Sequence, residues 1–425
     1  MKTIPFPHVK SVYALFVFAL VLMVSCPVRS QTIAVKPEDV GISAERLKRV
    51  DAFVARMQAE GKLAGAVTVV ARRGQLVSLK AHGFADLEAK RPMRTDDIFQ
   101  IQSMTKPIVT VAVLMLLEEG RFLLSDPVAK FLPEFRDMKV AVAKADAPEG
   151  FVLVPAERAI TIYDLLTHRA GFTGLPPANS PAEALRRKAV ESLPPNGAFT
   201  LDEYVKNLAA SPLDMQPGIA FRYGNSPVVL GRLVEVVAGQ SLDAFFHDRI
   251  FMPLAMKDTS FVVPVEKRNR VASAYSRSPE KGLVKLPPDA LSPTFFSAGG
   301  NVFSTPADYL RFCQMLLNGG TLDGQRLLGR KSVELMTARH IDAFPLSFMS
   351  GQHVGLGVGV RTADGKSGLI GSPGAYGWSG GYNTYFRIDP QEQLILLFFT
   401  QQAFSPTDLE LQHGFHNTVM QAIID

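Results

Sequence analysis

The sequence predicts a mixed α/β (α+β) fold in which strands from both ends of the chain form one antiparallel sheet. Patterns typical of strands occupy residues 64–83 near the N-terminus and residues 354–400 near the C-terminus. Between them, residues 107–292 carry mainly helical patterns interrupted by proline-rich loops. We therefore expect a sheet lobe flanked by helices, a mostly helical middle lobe, and a functional site at the interface between the two lobes.

The first thirty residues differ from the rest of the chain and have the features of an export signal. Two lysines precede an unbroken apolar run of 13 residues, Val12–Val24, and small residues follow before Gln31. A helix that spans a bilayer needs about 20 apolar residues, so this run is short for a permanent span. We predict a signal peptide over residues 1–30 and one domain over residues 31–425, located in the periplasm or secreted. The alternative is lipoprotein processing, with a lipid anchor at Cys26.

Within the predicted domain, the sheet lobe comprises about residues 31–100 and 295–425, and the helical lobe about residues 101–294. The composition, 47% hydrophobic and 20% charged, is that of an ordinary globular protein. Removing residues 1–30 takes away three basic residues and no acidic one, so the formal net charge falls from +5 to +2. This small excess argues against a nucleic-acid partner. Cys313 would then be the remaining cysteine, which excludes an intramolecular disulfide.

The chain after the leader is predicted to run helix, strand, strand. Apolar residues at helical spacing predict a helix over Ser43–Glu60, which Gly61 ends. The apolar run Ala64–Ala71 predicts a buried strand, and the turn residues Arg72–Gln75 lead into a second strand, Leu76–Gly83.

The middle of the chain is predicted to consist of helices joined by loops. Ile108–Gly120 is apolar nearly all round and predicts a core helix, because a membrane span would be longer. Thr161–Leu166 opens with a capping box, and Ser226–Ala238 predicts a second apolar helix closed by a glycine. Prolines are dense in Leu175–Pro181 and Leu193–Gly197, so we expect loops there.

The last third of the chain is predicted to return to strands. A helix begins after Thr305, which is an N-cap followed by proline. Three strands are then expected over Val354–Thr362, Ala375–Asp389 and Gln393–Thr400. The last of these contains a continuous apolar run, which is typical of a central strand covered on both faces. A helix from about Thr407 closes the chain.

The pattern Ser-x-x-Lys occurs at Ser103 and Lys106, where an extended segment gives way to the predicted core helix. One helical turn is about 3.6 residues, so the two side chains would share a face and touch. A neighbouring amine can activate a serine hydroxyl, and backbone N–H groups at a helix start favour developing negative charge. A second copy at Ser278 and Lys281 lies in a polar, proline-containing loop with nothing to exclude water, and we discard it.

Tyr223 is the second candidate for chemistry. It lies in the segment Tyr223–Asn225, between Gln216–Gly218 and the helix predicted from Ser226. A tyrosine that projects from this loop into the same cleft would be a proton shuttle. The alternative is a packed aromatic residue with a buried hydroxyl.

The segment Gly377–Gly381 matches the Gly-x-Ser-x-Gly pattern of a nucleophile elbow centred on Ser379, with Asp389 and His413 following in the order expected of a triad. That elbow needs a strand, a sharp turn and then a helix. Here the sequence after the pattern predicts strand and hairpin, so we disfavour the elbow. The glycines instead indicate a strand whose backbone approaches a ligand closely.

Two further patterns predict no chemistry. Gly355–Gly359 alternates glycine with apolar residues in a predicted strand and lacks the spacing of a dinucleotide-binding fingerprint. His413 and His416 lie three residues apart with no third ligand nearby, so we expect ordinary helix residues and no metal site.

Taken together, the ordered motifs resemble the serine β-lactamase and penicillin-binding-protein superfamily. The motifs are Ser103–Lys106, Tyr223–Asn225 and Trp378–Gly380, and flanking segments such as Asp164–Gly171 and Ser297–Gly300 agree as well. The chain is most similar to class C β-lactamases and to the related family VIII carboxylesterases. The resemblance implies a β-lactamase-like fold and extends over most of the mature chain.

The resemblance also implies a role for each motif residue. Ser103 matches the acylated nucleophile, Lys106 its activating partner and Tyr223 the general base and acid. Which of the two takes the serine proton stays open, because this is disputed across the superfamily. The backbone N–H groups of Ser103 and Gly381 would form the oxyanion hole. The other residues expected to contact substrate are Asn225, Trp378 and Gly380.

The third motif departs from the β-lactamase pattern. β-Lactamases usually have Lys-Thr-Gly there, and the lysine helps to bind the substrate carboxylate. This chain has Trp378, which cannot pair with an anion but suits an apolar acyl or alkoxy group, and family VIII esterases resemble it in this. A literal Lys366–Gly368 motif lies upstream, after Asp364 and Gly365, and we interpret it as part of a hairpin turn.

The sequence therefore predicts an exported serine hydrolase that cleaves small-molecule carboxylic esters through a Ser103 acyl-enzyme and needs no cofactor. The first alternative is a β-lactamase or D,D-peptidase that acts on β-lactams or cell-wall peptides. The second is a penicillin-recognising binding domain that is acylated at Ser103 without turnover.

Overall fold

The strands of the largest sheet come from the two ends of the chain, and most of the α-helices that the structure describes lie between them. The computed structural model describes residues 1–2, 35–173, 180–194, 198–288, 294–342, 351–363, 368–405 and 409–425. The α-helices in these ranges are α1 (Ala44–Ala59), α2 (Thr105–Glu118), α3 (Ile162–Leu166), α4 (Pro181–Glu191), α5 (Leu201–Ala209), α6 (Ser226–Ala238), α7 (Leu242–Phe246), α8 (Pro306–Leu317), α9 (Arg330–Thr337) and α10 (Leu409–Met420). The strands are β1 (Gly65–Arg72), β2 (Gln75–Asp86), β3 (Arg91–Pro92), β4 (Phe99–Gln100), β5 (Lys139–Ala143), β6 (Phe151–Pro155), β7 (Tyr275–Ser278), β8 (Gly282–Lys285), β9 (Phe303–Ser304), β10 (Thr321–Leu322), β11 (Gln325–Arg326), β12 (Gln352–Val354), β13 (Gly359–Arg361), β14 (Tyr376–Ser379), β15 (Tyr385–Asp389) and β16 (Leu394–Phe399).

The two ends of the chain meet in one eight-stranded antiparallel sheet of order β12-β13-β14-β15-β16-β1-β2-β3. Strand β16 lies between the C-terminal strand β15 and the N-terminal strand β1, with Val67 opposite Phe399 and Tyr385 opposite Phe398. Every residue of β16 is buried. The predicted fold class is confirmed, and so is the prediction that Leu394–Phe399 forms a central strand.

Each face of the sheet is covered by a different set of helices. Phe398 packs into a cluster with Phe53 of α1 and Phe415 of α10. On the other face, Phe399 belongs to the main core, which includes the apolar residues of α2 and α8. Because side chains of a strand alternate between faces, the uninterrupted apolar sequence of β16 supplies both clusters.

Helix termini lie close to where their capping residues predict them. The Ser43 hydroxyl accepts a hydrogen bond from the Arg46 N–H at the start of α1, and the Thr305 hydroxyl caps α8 in the same way. At the start of α3, Thr161 and Asp164 form the predicted capping box. Gly239 ends α6 with a φ of 71°, a left-handed conformation that glycine adopts at little cost.

Two strands predicted as continuous are hairpins. Val354–Thr362 was expected to be one strand, but β12 and β13 pair with each other across a turn at residues 355–358. Gly357 has a φ of 66° in that turn, and a Cβ there would collide with Thr110 Oγ1 of α2. Ala375–Asp389 is likewise divided into β14 and β15, which pair antiparallel. Leu356 and Val358 continue the alternation of apolar residues through the first turn, so the period-2 pattern does not reveal that reversal.

The middle of the chain is less helical than predicted, because it contains the hairpins β5–β6 and β7–β8. The discarded pair Ser278 and Lys281 lies at the turn of the second hairpin, in agreement with the predicted loop. The predicted loop ending at Pro181 is wrong at that end, because Ser180 caps α4 and Pro181 occupies its first turn. Residues 174–179 and 195–197 lie outside the described residues.

The predicted export signal over residues 1–30, including Cys26, lies almost entirely outside the described residues and stays a prediction. The lobe boundaries near residues 100 and 295 also stay a prediction. Among the helices that the structure describes, none has the length and apolar character needed to cross a membrane.

The contact between α1 and α10, which joins the two ends of the chain, generates a stability prediction. A Cβ at Gly414 would lie 2.7 Å from Cζ of Phe53, closer than packed carbon atoms allow. Overpacking costs about 1–3 kcal/mol, whereas replacing a helical glycine by alanine gains about 1 kcal/mol. We expect Gly414→Ala to lower the free energy of unfolding by roughly 1 kcal/mol, measured by urea denaturation. In a Phe53→Leu background the same substitution should be neutral or stabilising, and a gain in the wild-type background would contradict this packing argument.

Candidate active site

Ser103 and Lys106 lie in contact at the start of α2. The Lys106 Nζ atom is 2.8 Å from Ser103 Oγ and donates a second hydrogen bond of 2.6 Å to the carbonyl oxygen of Gly299. The Lys106 side chain is buried, and Ser103 is half-buried. The structure thus brings the two predicted residues together at the end of a core helix.

The backbone around Ser103 is held in place from both sides. Gln102 has a φ of 49°, a left-handed conformation that turns the chain from β4 into α2. Before the turn, the Ile101 N–H donates to the Val302 carbonyl at 3.0 Å; after it, the Tyr309 hydroxyl donates to the Met104 carbonyl at 2.9 Å. Ser103 therefore lies in a short segment whose flanks are both hydrogen-bonded to distant parts of the chain.

Tyr223 packs against Lys106 and against two other rings. Lys106 Nζ is 4.8 Å from the centroid of the Tyr223 ring, a distance at which a cation is attracted to an aromatic face. The Trp378 ring stacks on Tyr223 at 5.9 Å, and the His168 ring lies 4.9 Å from it. The structure thus brings Trp378 of β14 and Tyr223 of the loop before α6 together beside the Ser103–Lys106 pair.

The segment His168–Gly171 holds the loop that carries Tyr223. The Arg222 N–H donates to the His168 carbonyl at 2.7 Å, and the Gly218 N–H donates to the Arg169 carbonyl at 2.8 Å. Farther along, the Asp214 N–H donates to the Gly171 carbonyl at 2.9 Å. From the sequence, this segment is only a flank of the motifs, and its contact with the site was missed.

His168 is neutral in the folded protein. Burial and the nearby Lys106 lower the pKa of its imidazole to about 3. Its Nδ1 atom is buried without a hydrogen-bond partner. The imidazole therefore contributes an uncharged ring beside Tyr223 and adds no second positive charge near Lys106.

Asn225 lies half-buried at the start of α6. Its side-chain oxygen accepts a hydrogen bond of 3.0 Å from the hydroxyl of Tyr204, which belongs to α5. The Tyr204 ring in turn packs 4.9 Å from the ring of Phe295. Tyr204 was not singled out in the sequence, because a tyrosine on an amphipathic helix carries no signal of this contact.

The turn between β14 and β15 brings Gly380 and Gly381 beside Ser103. The Gly380 N–H donates to the Thr384 carbonyl at 2.8 Å, and the Thr384 hydroxyl donates to the Ile101 carbonyl at 3.1 Å. A Cβ added to Gly381 would come no nearer than 3.8 Å to the side chain of Gln102. The predicted oxyanion strand therefore runs alongside the residues that immediately precede Ser103.

Asn383 and Gln412 hold this turn from the opposite side. Asn383 is fully buried with a φ of 57°, and its Nδ2 donates to the Gln402 carbonyl at 3.1 Å. Its Oδ1 accepts a hydrogen bond of 3.0 Å from Gln412 of α10. Sequence reasoning missed both residues, although asparagine after glycine and tyrosine is a turn signal that indicates the position of Asn383.

The nucleophile-elbow alternative lacks its structural context. Ser379 is the last residue of β14 and pairs with Tyr385 of an antiparallel strand, so no helix follows the turn. Asp389 is the last residue of β15 and accepts hydrogen bonds from the N–H groups of Ser372 and Gln391. His413 lies on α10, as expected of an ordinary helix residue.

His416 is also a packed residue of α10. Its two ring nitrogens are hydrogen-bonded to the Tyr385 hydroxyl at 2.9 Å and to the Ile370 carbonyl at 2.5 Å. In the part of the chain that the structure describes, no group of three histidine, cysteine or acidic side chains is arranged to hold a metal ion. The upstream Lys366 and Ser367 lie outside the described residues.

Comparison with known proteins agrees with the motif order. A family model described as Beta-lactamase matches residues 50–416. Protein Rv1367c of Mycobacterium tuberculosis is 37% identical over 355 residues, which cover 80% of this chain and 86% of that protein. Esterase EstB of Burkholderia gladioli is 38% identical over 220 residues, which cover 52% of this chain and 53% of that protein.

Among solved structures, EstCE1, described as a hydrolase with promiscuous acyltransferase activity, superimposes with a TM-score of 0.74 at 26% identity. The match covers 88% of this chain and 99% of EstCE1. Since the family model spans most of the sequence and the fold agrees, this chain belongs to the Beta-lactamase family.

Proposed function

We propose that this protein is an exported serine hydrolase that cleaves carboxylic esters through an acyl-enzyme on Ser103. The observation that carries the proposal is the 2.8 Å contact between Lys106 Nζ and Ser103 Oγ at the start of a buried helix. Two similar proteins, one named as an esterase and one described as a hydrolase, support the same class of reaction.

In the proposed acylation, Ser103 Oγ attacks the ester carbonyl carbon while its proton passes to Lys106 or Tyr223. The carbonyl π electrons move to the oxygen, and the N–H groups of Ser103 and Gly381 stabilise the resulting oxyanion. The tetrahedral intermediate then collapses and expels the alcohol, which takes a proton from Tyr223. This assignment uses Tyr223 because its ring packs against Lys106 beside Ser103 and its hydroxyl can serve as a general acid.

In the proposed deacylation, water repeats the same steps. A water molecule gives its proton to the group that protonated the alcohol and attacks the acyl carbonyl carbon. The bond between Ser103 Oγ and the acyl carbon then breaks and the acid leaves. Ser103 Oγ takes back a proton from Lys106 or Tyr223, whichever accepted it during acylation. No oxidation state changes in these steps. The proposed N–H groups stabilise the oxyanion and the proposed side chains carry the protons, so the mechanism requires neither a redox group nor a metal ion.

Trp378 decides the proposed substrate class. A stacked indole offers an apolar face and no positive charge, so it favours a neutral ester over a substrate carboxylate. A β-lactamase or D,D-peptidase remains the alternative function, and a domain that is acylated without turnover is a second. We also propose export through residues 1–30, with release into the periplasm or the medium and lipid attachment at Cys26 as the alternative.

Ser103→Ala should abolish hydrolysis of p-nitrophenyl butyrate, because it removes the nucleophile but leaves α2 intact. The measurement is the release of p-nitrophenolate, with thermal unfolding to show that the variant is folded. Ser379→Ala serves as the matched control, since the elbow alternative makes it the inactive variant. Turnover by folded Ser103→Ala, or its loss only in Ser379→Ala, would exclude the proposed nucleophile.

Gly380→Ala and Gly381→Ala should differ in their effects on esterase activity. A Cβ at Gly380 would collide with Thr384 Oγ1 and Ile101 O, whereas one at Gly381 has room. The collision at Gly380 should displace the turn and with it the Gly381 N–H group. Losing one oxyanion donor costs about 10²–10³ in kcat, so we expect a fall of that order for Gly380→Ala. Gly381→Ala keeps its N–H group and should retain kcat within a few-fold. Equal losses in the two variants would argue against a backbone role for this turn.

Ester turnover should exceed cephalosporin turnover by a wide margin, because no cation at position 378 pairs with the cephalosporin carboxylate. Purified enzyme is compared on p-nitrophenyl butyrate and nitrocefin, and intact mass is recorded after each reaction. Fast nitrocefin hydrolysis without esterase activity would favour the β-lactamase alternative. A stable acyl adduct without turnover of either compound would favour the binding domain.

A further inference from the structure

A cavity of about 650 Å³ lies beside the paired strands β4 and β9. Its walls are mostly apolar, and they include Val262, Val263, Val271, Leu286 and Phe303. Three of these residues, Val263, Val271 and Phe303, pack in a small apolar cluster with Ile98, separate from the main core. The volume and lining are those of a small-molecule site.

The cavity adjoins the two chain segments that form the proposed catalytic centre. Phe99 and Ile101 point into the main core, whereas Gln100, on the opposite face of the same segment, lines the cavity. Ser103 follows three residues later. On another wall, the lining residue Tyr382 directly follows Gly381 in the β14–β15 turn. The cavity thus begins beside the segments that carry the nucleophile and the proposed oxyanion donor.

The polar part of the lining is already hydrogen-bonded within the protein. The Gln401 side chain accepts a hydrogen bond from the Gln100 N–H at 3.3 Å and donates to the Gln100 carbonyl at 3.1 Å. At the margin, the Lys285 ammonium is paired with Asp86 at 2.5 Å. The other cationic lining residue, Arg268, is exposed like Lys285, and its Nε donates to the Val263 carbonyl at 3.3 Å. Because the buried polar groups of the lining are paired within the protein, the cavity suits an apolar ligand group better than a charged one.

The position of Tyr223 distinguishes the two halves of an ester. The leaving alcohol must lie near Tyr223 to receive its proton, and Tyr223 stacks on Trp378, at the β14 end of the turn. Tyr382 lies four residues beyond Trp378, on the other side of Gly381. A substrate with its carbonyl oxygen at Gly381 and its alcohol at Tyr223 leaves the cavity next to Tyr382 available to its acyl chain.

We propose that this cavity receives the acyl chain of the substrate, which makes medium-chain acyl esters the preferred class. The inference rests on the proposed Ser103 esterase function. A buried methylene contributes a factor of about four to binding, so kcat/KM should rise from p-nitrophenyl acetate to p-nitrophenyl octanoate.

The test narrows the cavity and measures the ratio of kcat/KM for octanoate to that for acetate. Ala274 is half-buried and lines the cavity, and Ala274→Phe should lower this ratio at least tenfold. Val262 lines the cavity at its exposed rim, and the larger side chain of Val262→Trp should also narrow it. This variant should lower the octanoate-to-acetate ratio as well, and it replaces the first one if Ala274→Phe does not fold. The matched control is Ala143→Phe on the exposed strand β5, which should leave the ratio unchanged.

An unchanged ratio in both cavity variants would overturn the inference while leaving the Ser103 mechanism intact. A loss seen with octyl acetate relative to ethyl acetate, with the octanoate ratio unchanged, would assign the cavity to the alcohol and also overturn it. If the wild-type enzyme hydrolyses none of these esters, the proposed function fails first and this inference with it.

Discussion

Burial of the Lys106 amine is the constraint around which the site is arranged. An amine removed from water is costly unless it contacts polar or aromatic groups that replace the lost hydration. Here the replacements are Ser103 Oγ, the Gly299 carbonyl and the face of Tyr223. They come from three segments far apart in the sequence, so α2, the chain before β9 and the loop before α6 must all be correctly folded before Lys106 is satisfied.

The electrostatic surroundings of Lys106 depend on a histidine that stays neutral. Burial, reinforced by Lys106, holds the pKa of His168 at about 3, well below the value of about 6.5 expected in the unfolded chain. The folded state therefore binds fewer protons than the unfolded state between these values. The contribution of His168 to stability is fully present above about pH 6.5 and declines as the pH falls toward 3. Activity near neutral pH is thus independent of His168 titration.

Local signals predicted the helices and the central strand, and distant contacts account for what was missed. Thr161, Thr305 and Gly239 act through neighbours within a few residues, so their sequence patterns located helix ends well. Gln412 lies 29 residues from Asn383, and their hydrogen bond depends on how α10 packs on the sheet. No sequence period encodes that contact.

The candidate site shows the same division. The contact between Ser103 and Lys106 follows from helical spacing, and it was predicted. The packing of Tyr223 against both His168 and Trp378 was not, because it requires two loops and a strand to converge. Family resemblance named Tyr223 and Trp378 as site residues, but only the three-dimensional structure reveals that their rings stack on each other.

The stacked pair also explains why a tryptophan at position 378 is more than a missing cation. A lysine there would bring a second positive charge close to Tyr223, whose ring already faces the Lys106 amine. The indole avoids that repulsion, and both it and the neutral imidazole of His168 pack against the Tyr223 ring. In the proposed mechanism Tyr223 therefore exchanges protons beside the uncharged rings of Trp378 and His168, and these rings favour an uncharged substrate. In this proposal, the residue that selects the substrate class also contacts the proton-transfer group.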